Sequence, residues 1–393
     1  MRILYITTFY EQRSASAAIR NSAWVNGLIE DGCEVTVLTV DWPDNLKSRF
    51  LMENNRARVY RTYLPELDVL KVTTSKIKKS SFAKLTPIRH FIRDLIFFPD
   101  ICRRWNDKVD LPTKMNYDIL ISSSDFKSSH YVAKQVKEAN KELPWIQIWG
   151  DPWKDDVGLN WLNKIRAAKK EKELLTIADK VIYVSAITKE RMSRIYPLLC
   201  HKFHYLPRGF YKSVYNVSTE NKGDIHITYT GGMSIRYRNS LALLECIEMK
   251  NRTKNRRLHV DFYGLFDAET KEQFGALDCC TIHSAVDYEE ILKVYQHSDA
   301  LLFVANKGNS SQIPGKLFDY MGTNLPIICL VDSLDTEIAN WLRSFPRCLL
   351  IENSNKGVQN SIDMIYSFIN NKYDIVQEFS PNSIAKQLLS ILK

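Results

Sequence analysis

Lys316 and Asp319 stand three residues apart in "SSQIPGKLFDYMGTNLPIICL", residues 310–330, just behind Pro314 and Gly315. Proline suits a first helical turn and glycine keeps backbone amides approachable, so this pattern predicts a helix opening. At such an opening Lys316 would supply a point charge for a diphosphate, and Asp319 could accept bonds from two vicinal ribose hydroxyls. Asp319 could equally do no more than complement the helix dipole. A second stretch, "YTGGMSIRYRNS", places Gly231 and Gly232 after a strand and Arg236 and Arg238 before a helix. Glycine and arginine there can cradle a phosphate through amides and guanidinium groups, or form a surface turn with solvated arginines. The third, "LPWIQIWGDPWKDD", sets Asp151 and Trp153 at the carboxyl end of a strand; Trp145, Trp149 and Trp153 could also be core, and Asp151 a cap. No GxGxxG and no GxxxxGK[ST] occurs, so dinucleotide dehydrogenases and P-loop enzymes lack their motifs.

The elements that would carry these residues follow from periodicity. Strands are expected at 2–8, 34–40, 117–122, 144–149 and 179–185, with helices at 17–31, 127–140 and near 161–177. The rhythm restarts with strands at 224–230, 257–263, 299–304 and 326–331 and helices at 239–250, 288–297 and 315–322. Short apolar runs alternating with helices imply parallel strands and crossover helices. The expectation is two doubly wound α/β domains, 1–205 and 223–393, with a linker at 206–222 and the two sheets facing across a cleft. Ligands of such sheets settle beyond the strands' carboxyl ends, where the unusual residues fall.

Composition agrees. At 393 residues the chain exceeds a single core, and 45% apolar with 25% charged residues is ordinary for a globular protein. Eight cysteines without CxxC or His-rich spacing point away from zinc and toward a reducing, cytoplasmic setting. The N-terminus reads as a first strand and not as a signal peptide, and no run is long enough to span a membrane. Charge is uneven: residues 1–215 hold 36 basic against 24 acidic groups, and 216–393 hold 18 against 21. Nine basic residues and two acids lie within Lys71 to Arg104, interleaved with Phe82, Phe91, Phe97 and Phe98. This segment is expected to meet an anionic membrane surface peripherally. Nucleic acid is not expected, because its recognition motifs are lacking.

Taken together the stretches resemble the GT-B glycosyltransferases of the large retaining family 4, from bacterial surface-polysaccharide pathways. The resemblance runs through "MRILYITTFY…NGLIEDGCEVTVLT", "FPDICRRW", "YDILISSSDFKSSHYVA", "LPWIQIWGDPW", "ADKVIYVS", "LPRGF", "YTGGM" and "IPGKLFDYMGTNLPII" in order. It implies two Rossmann-like domains and transfer of a sugar, with retention, from a nucleotide sugar to a saccharide acceptor, often lipid-linked, at the inner membrane face. It implies no cofactor and no metal. Arg236 or Arg238, with Lys316, match the cations that hold the donor diphosphate, beside Gly231, Gly232 and Gly315. Asp319 stands where the family has the second glutamate of its paired-acid motif, and Asp151 where a catalytic or sugar-contacting residue sits.

The chain departs from that pattern in places. Ser311 replaces the first acid of the pair, leaving donor-sugar contacts to Asn309, Ser310 or Ser311. "RSASAA" puts Arg13 and Ser14 where relatives have a glycine pair, Gly150 precedes Asp151 where they have arginine, and Arg208–Gly209 replaces Asn-Gly. Arg13, Ser14 and Trp153 are accordingly expected on the acceptor side. Other readings are a nucleotide-sugar epimerase of the same architecture and a non-catalytic nucleotide- or carbohydrate-binding subunit.

Overall fold

A computed structural model describes residues 1–13, 15–72, 95–111, 116–156, 158–217, 223–308 and 313–392. The expectations for Ser14, for Asn309 to Ser311, and for most of the basic segment, 73–94, lie outside these residues. The chain forms two compact units, Met1–Arg208 with Pro381–Lys393, and Gly209–Ser380.

In the first unit β1 (Arg2–Thr7) leads through α1 (Ser16–Glu30) to β2 (Glu34–Asp41), α2 (Arg49–Glu53) and β3 (Arg58–Tyr63). Then come α3 (Trp105–Lys108), β4 (Ile119–Ser124), α4 (Ser128–Ala139), β5 (Trp145–Trp149), α5 (Trp161–Ile177), β6 (Lys180–Tyr183), α6 (Ala186–Ile195) and β7 (Phe203–Tyr205). The strands pair in parallel in the order β3-β2-β1-β4-β5-β6-β7. The second unit runs β8 (Ile225–Thr230), α7 (Leu241–Asn251), β9 (Leu258–Tyr263), α8 (Ala268–Gly275), β10 (Cys280–His283), α9 (Tyr288–His297) and β11 (Ala300–Val304). It continues with α10 (Gly315–Met321), β12 (Ile327–Val331), α11 (Glu337–Arg343), β13 (Cys348–Glu352) and α12 (Asn355–Phe368). Its parallel order is β10-β9-β8-β11-β12-β13. Central strands such as β1, β11 and β12 are buried along their apolar runs, as sheets covered on both faces require. Edge strand β3, RVYRTY, lacks such a run and is mostly exposed, which hides it from a search for apolar periodicity.

The expected boundaries change in one respect. The last helix, α13 (Pro381–Leu392), belongs to the first unit and not to the second domain, and the expected linker divides at Arg208 and Gly209. Ile384, Ala385 and Leu388 of α13 are fully buried, and Gly27 of α1 lets the helices meet closely. A Cβ built on Gly27 would stand 2.5 Å from the Pro381 carbonyl carbon and 3.3 Å from Ala385 Cβ.

In the second unit a buried arginine fixes the turn behind α10. Arg347, 2% exposed, donates through Nη1 to Met321 O (3.3 Å), through Nε to Leu325 O (3.2 Å) and through Nη2 to Thr323 Oγ1 (3.2 Å). These acceptors include the orphan carbonyl of the helix's last residue, where a cation is favoured. Burial lowers its pKa to about 10, so the guanidinium stays charged.

Gly27→Ala should therefore loosen the final helix, with overpacking costing about 1–3 kcal/mol. Thermal unfolding together with proteolysis at residues 369–381 measures this; an unchanged melting temperature and unchanged cleavage would refute the close packing.

Candidate functional site: a buried lysine behind a glycine turn

Strand β8 ends in Thr230, and Gly231 takes φ +114°, a conformation glycine adopts without strain. The turn is pinned to the loop after β9: Gly231 N donates to Tyr263 O (2.8 Å) and Met233 N to Leu265 O (3.1 Å). Gly264 makes room for it, since a Cβ there would stand 2.6 Å from the Gly231 carbonyl carbon. The space over Gly231 belongs to Lys316, whose Nζ would lie 2.9 Å from a Cβ at that position.

Lys316 Nζ is buried and has no hydrogen-bond partner among the described residues. It lies 3.8 Å from the centre of the Tyr229 ring, a cation–π contact. Burial, and then the neighbouring Arg238 guanidinium, hold its pKa well below the ordinary lysine value. Arg238 donates through Nε to Asn306 Oδ1 (2.6 Å) and through Nη1 to Gly232 O (3.1 Å), and Tyr229 OH also donates to Gly232 O (2.8 Å). Beside them opens a pocket of about 540 Å³, lined by Gly232, Ser234, Tyr237, Arg238, Asp267 and Asn306 among others. Asp319, on α10 with Lys316, accepts from Tyr288 OH (2.9 Å) at the start of α9.

The structure thus brings Gly231, Gly232, Arg238, Gly315 and Lys316 into one neighbourhood, with Asp319 on the same helix. It does not bring Arg236 there. Arg236 is 73% exposed and pairs with Glu269 on α8 (3.0 Å), because its turn faces that helix's acidic first turn. Tyr229, Asn306 and Tyr288 have no sequence signal beyond their places at strand ends and a helix start.

The first unit has its own charged cluster at the carboxyl ends of β4 and β5. Gly150 and the exposed Asp151 follow β5, and a Cβ on Gly150 would lie 3.7 Å from Asp125 Oδ1 and 4.0 Å from Arg20 Nη1. Arg20, 5% exposed, donates to Ser123 Oγ (3.0 Å) and meets Asp125 Oδ2 (3.4 Å). Lys127 Nζ lies 5.0 Å from the Trp149 ring centre and donates to Ser124 Oγ (3.3 Å). Burial lowers its pKa, opposed by Asp125, Glu171, Asp100 and Asp151. Partial desolvation and Asp125 raise the Asp151 pKa, with Lys127 and Arg20 pulling the other way. Arg20 could have been suspected as the lone charge in the apolar run "AAIRNSAWV".

Trp153 requires a correction. It is 3% exposed and stacks on Phe98 (centroids 5.1 Å apart), so it belongs to the core and not to an acceptor surface; Trp145 and Trp149 are fully buried. Arg13 is exposed, its backbone N–H bonded to Leu46 O (2.8 Å). Among the described residues no group of three His, Cys, Asp or Glu side chains could hold a metal ion, and no helix is long and apolar enough to cross a membrane.

Two tandem parallel sheets of these orders constitute the GT-B fold, with two Rossmann-like domains. Solved structures similar along the whole chain include a lipopolysaccharide outer core galactosyltransferase, WaaB (13% identity, TM-score 0.52, covering 100% of this chain and 99% of that one). Sucrose-phosphate synthase from Thermosynechococcus elongatus is similar at 13% identity and TM-score 0.58, covering 100% and 98%. UDP-GlcNAc 2-epimerase from Methanocaldococcus jannaschii is similar at 12% identity and TM-score 0.52, covering 100% and 99%. No protein-family model matches the chain, and no curated protein sequence matches it.

Lys316→Met keeps an unbranched chain against Tyr229 and removes a buried amino group that has no hydrogen-bond partner among the described residues. It should raise the melting temperature, by about 2–4 °C per kcal/mol for a domain of this size, and weaken nucleoside-diphosphate binding at least about tenfold. The pH dependence has a definite sign. Between the lowered folded pKa and the ordinary 10.5, the unfolded chain holds a proton that the folded one releases, so stability rises with pH in that window. Denaturant unfolding from neutral pH to pH 10 should show this slope in the parent and less of it in Lys316→Met; equal slopes would refute the assignment.

Proposed function

We propose that the chain is a glycosyltransferase that moves a sugar from a nucleotide-sugar donor to a saccharide acceptor. The observation that carries this reading is the buried Lys316 amino group, without a hydrogen-bond partner among the described residues, beside Gly231 and Arg238. A buried cation costs free energy unless an anion meets it, and a nucleoside diphosphate is such an anion. The likeness to structures of a galactosyltransferase and a sucrose-phosphate synthase supports it at the level of fold.

In this reading the second unit holds the donor. Lys316 and Arg238 meet the charge that gathers on the diphosphate as the glycosidic bond breaks, so transfer needs no metal; losing one such group costs about 3–4 kcal/mol in the transition state. Asp319, oriented by Tyr288, accepts from the ribose hydroxyls. The first unit receives the acceptor, and Asp151 contacts the reacting sugar or its acceptor hydroxyl. The finer proposal is a hexosyl transfer with retention onto a lipid-linked saccharide, in bacterial surface-polysaccharide synthesis at the cytoplasmic membrane face. Residues 71–104 would lie against that anionic surface.

The likeness to a UDP-GlcNAc 2-epimerase supports a second reading on the same donor site. Incubation with a panel of nucleotide sugars separates the two: a transferase releases nucleoside diphosphate, slowly to water and faster with acceptor, whereas an epimerase returns an isomeric nucleotide sugar. Neither product across the panel would overturn both.

Asp319→Asn should weaken nucleotide-sugar binding at least about tenfold with little change in melting temperature, whereas a merely structural role through the Tyr288 hydroxyl would cost about 0.5–1.5 kcal/mol of stability and leave affinity intact. Calorimetry and thermal unfolding of the variant decide between these outcomes.

A further inference from the structure

Helix α5 has an outer face that the described residues leave uncovered. Its inner stripe, Asn163, Ala167, Glu171, Leu174 and Leu175, is buried on the first unit's core and fixes the helix's rotation. Trp161 and Ile165 therefore point outward one turn apart, 65% and 63% exposed. Every other tryptophan is buried or partly buried, so Trp161 is not explained by ordinary surface composition. Lys164, Arg166, Lys169 and Lys172 are exposed on the same helix. Its acids offer no compensation there: Glu171 is buried, and Glu173 is held by Lys134 (2.7 Å) and Lys170 (2.8 Å). Arg166 ties in the segment before Pro99, donating to Leu95 O (3.3 Å) and lying 4.0 Å from the Phe98 ring centre. That segment exposes Ile96, at 49%.

We propose that this face of α5, with Ile96, is a docking surface for an anionic lipid bilayer. Tryptophan and isoleucine ringed by lysines match the headgroup layer, where indole rings settle and ammonium groups meet lipid phosphates. A protein partner fits less well, because interface cores are depleted in lysine. This surface sharpens the membrane reading given above by assigning the contact to described residues, and it does not depend on the donor site.

Cosedimentation of the full chain with phosphatidylcholine vesicles, with and without phosphatidylglycerol, tests it at low salt. Binding is expected only with the anionic lipid. Lys164→Gln and Lys169→Gln should each weaken it about fivefold, and Trp161→Ser with Ile165→Ser at least about tenfold. Circular dichroism and melting temperature should stay unchanged, since these side chains are exposed, and nucleoside-diphosphate affinity should be unaffected. Protein left in the supernatant, equal binding to both vesicles, or variants that bind like the parent would overturn the proposal. So would a dimer that Trp161→Ser dissociates without any vesicle binding, which would make the face a contact between copies of the chain.

Discussion

A parallel sheet covered by helices on both faces can hold little unpaired charge along its strands, and both sheets here obey this constraint. Central strands such as β1, β11 and β12 bury nearly every side chain. Charge and hydrogen-bonding capacity are displaced to the strands' carboxyl ends, where the backbone leaves the sheet. Arg20, Asp125, Lys127 and Asp151 collect there in the first unit, and Lys316, Arg238 and Asn306 in the second. Glycines at Gly231 and Gly264 allow the strand ends of the second unit to approach their neighbours closely.

The buried cations show how environment separates a structural charge from one available to a ligand. Arg347 is saturated by backbone carbonyls and Thr323, so its burial is compensated within the fold and it serves to hold a turn. Lys127 is surrounded by four carboxylates that oppose the effect of its burial. Among the described residues Lys316 has neither carbonyl nor carboxylate as a hydrogen-bond partner, only the Tyr229 ring and the neighbouring Arg238. A side chain kept in that state costs stability, and an arriving diphosphate would relieve the cost. In the proposed function, stability and binding would thereby oppose each other at one residue.

Much of the fold was legible because period and burial coincide. Alternating apolar runs and helical stripes placed most strands and the helices bearing Lys316 and Asp319, and glycine spacing marked the Gly231 turn. Edge strand β3 escaped because a half-exposed strand has no continuous apolar run, and β10, also an edge strand and only partly buried, escaped for the same reason. The sequence by itself determined which residue types lie near strand ends, since that depends on local order along the chain. Only the tertiary structure decided which of them meet. Arg238 turns toward Lys316 while Arg236, two residues earlier, pairs with Glu269; Trp153 is core while Asp151, two residues before it, is exposed; and α13 returns to the first unit through Gly27. Each outcome depends on packing partners distant in sequence, whose approach no local pattern encodes.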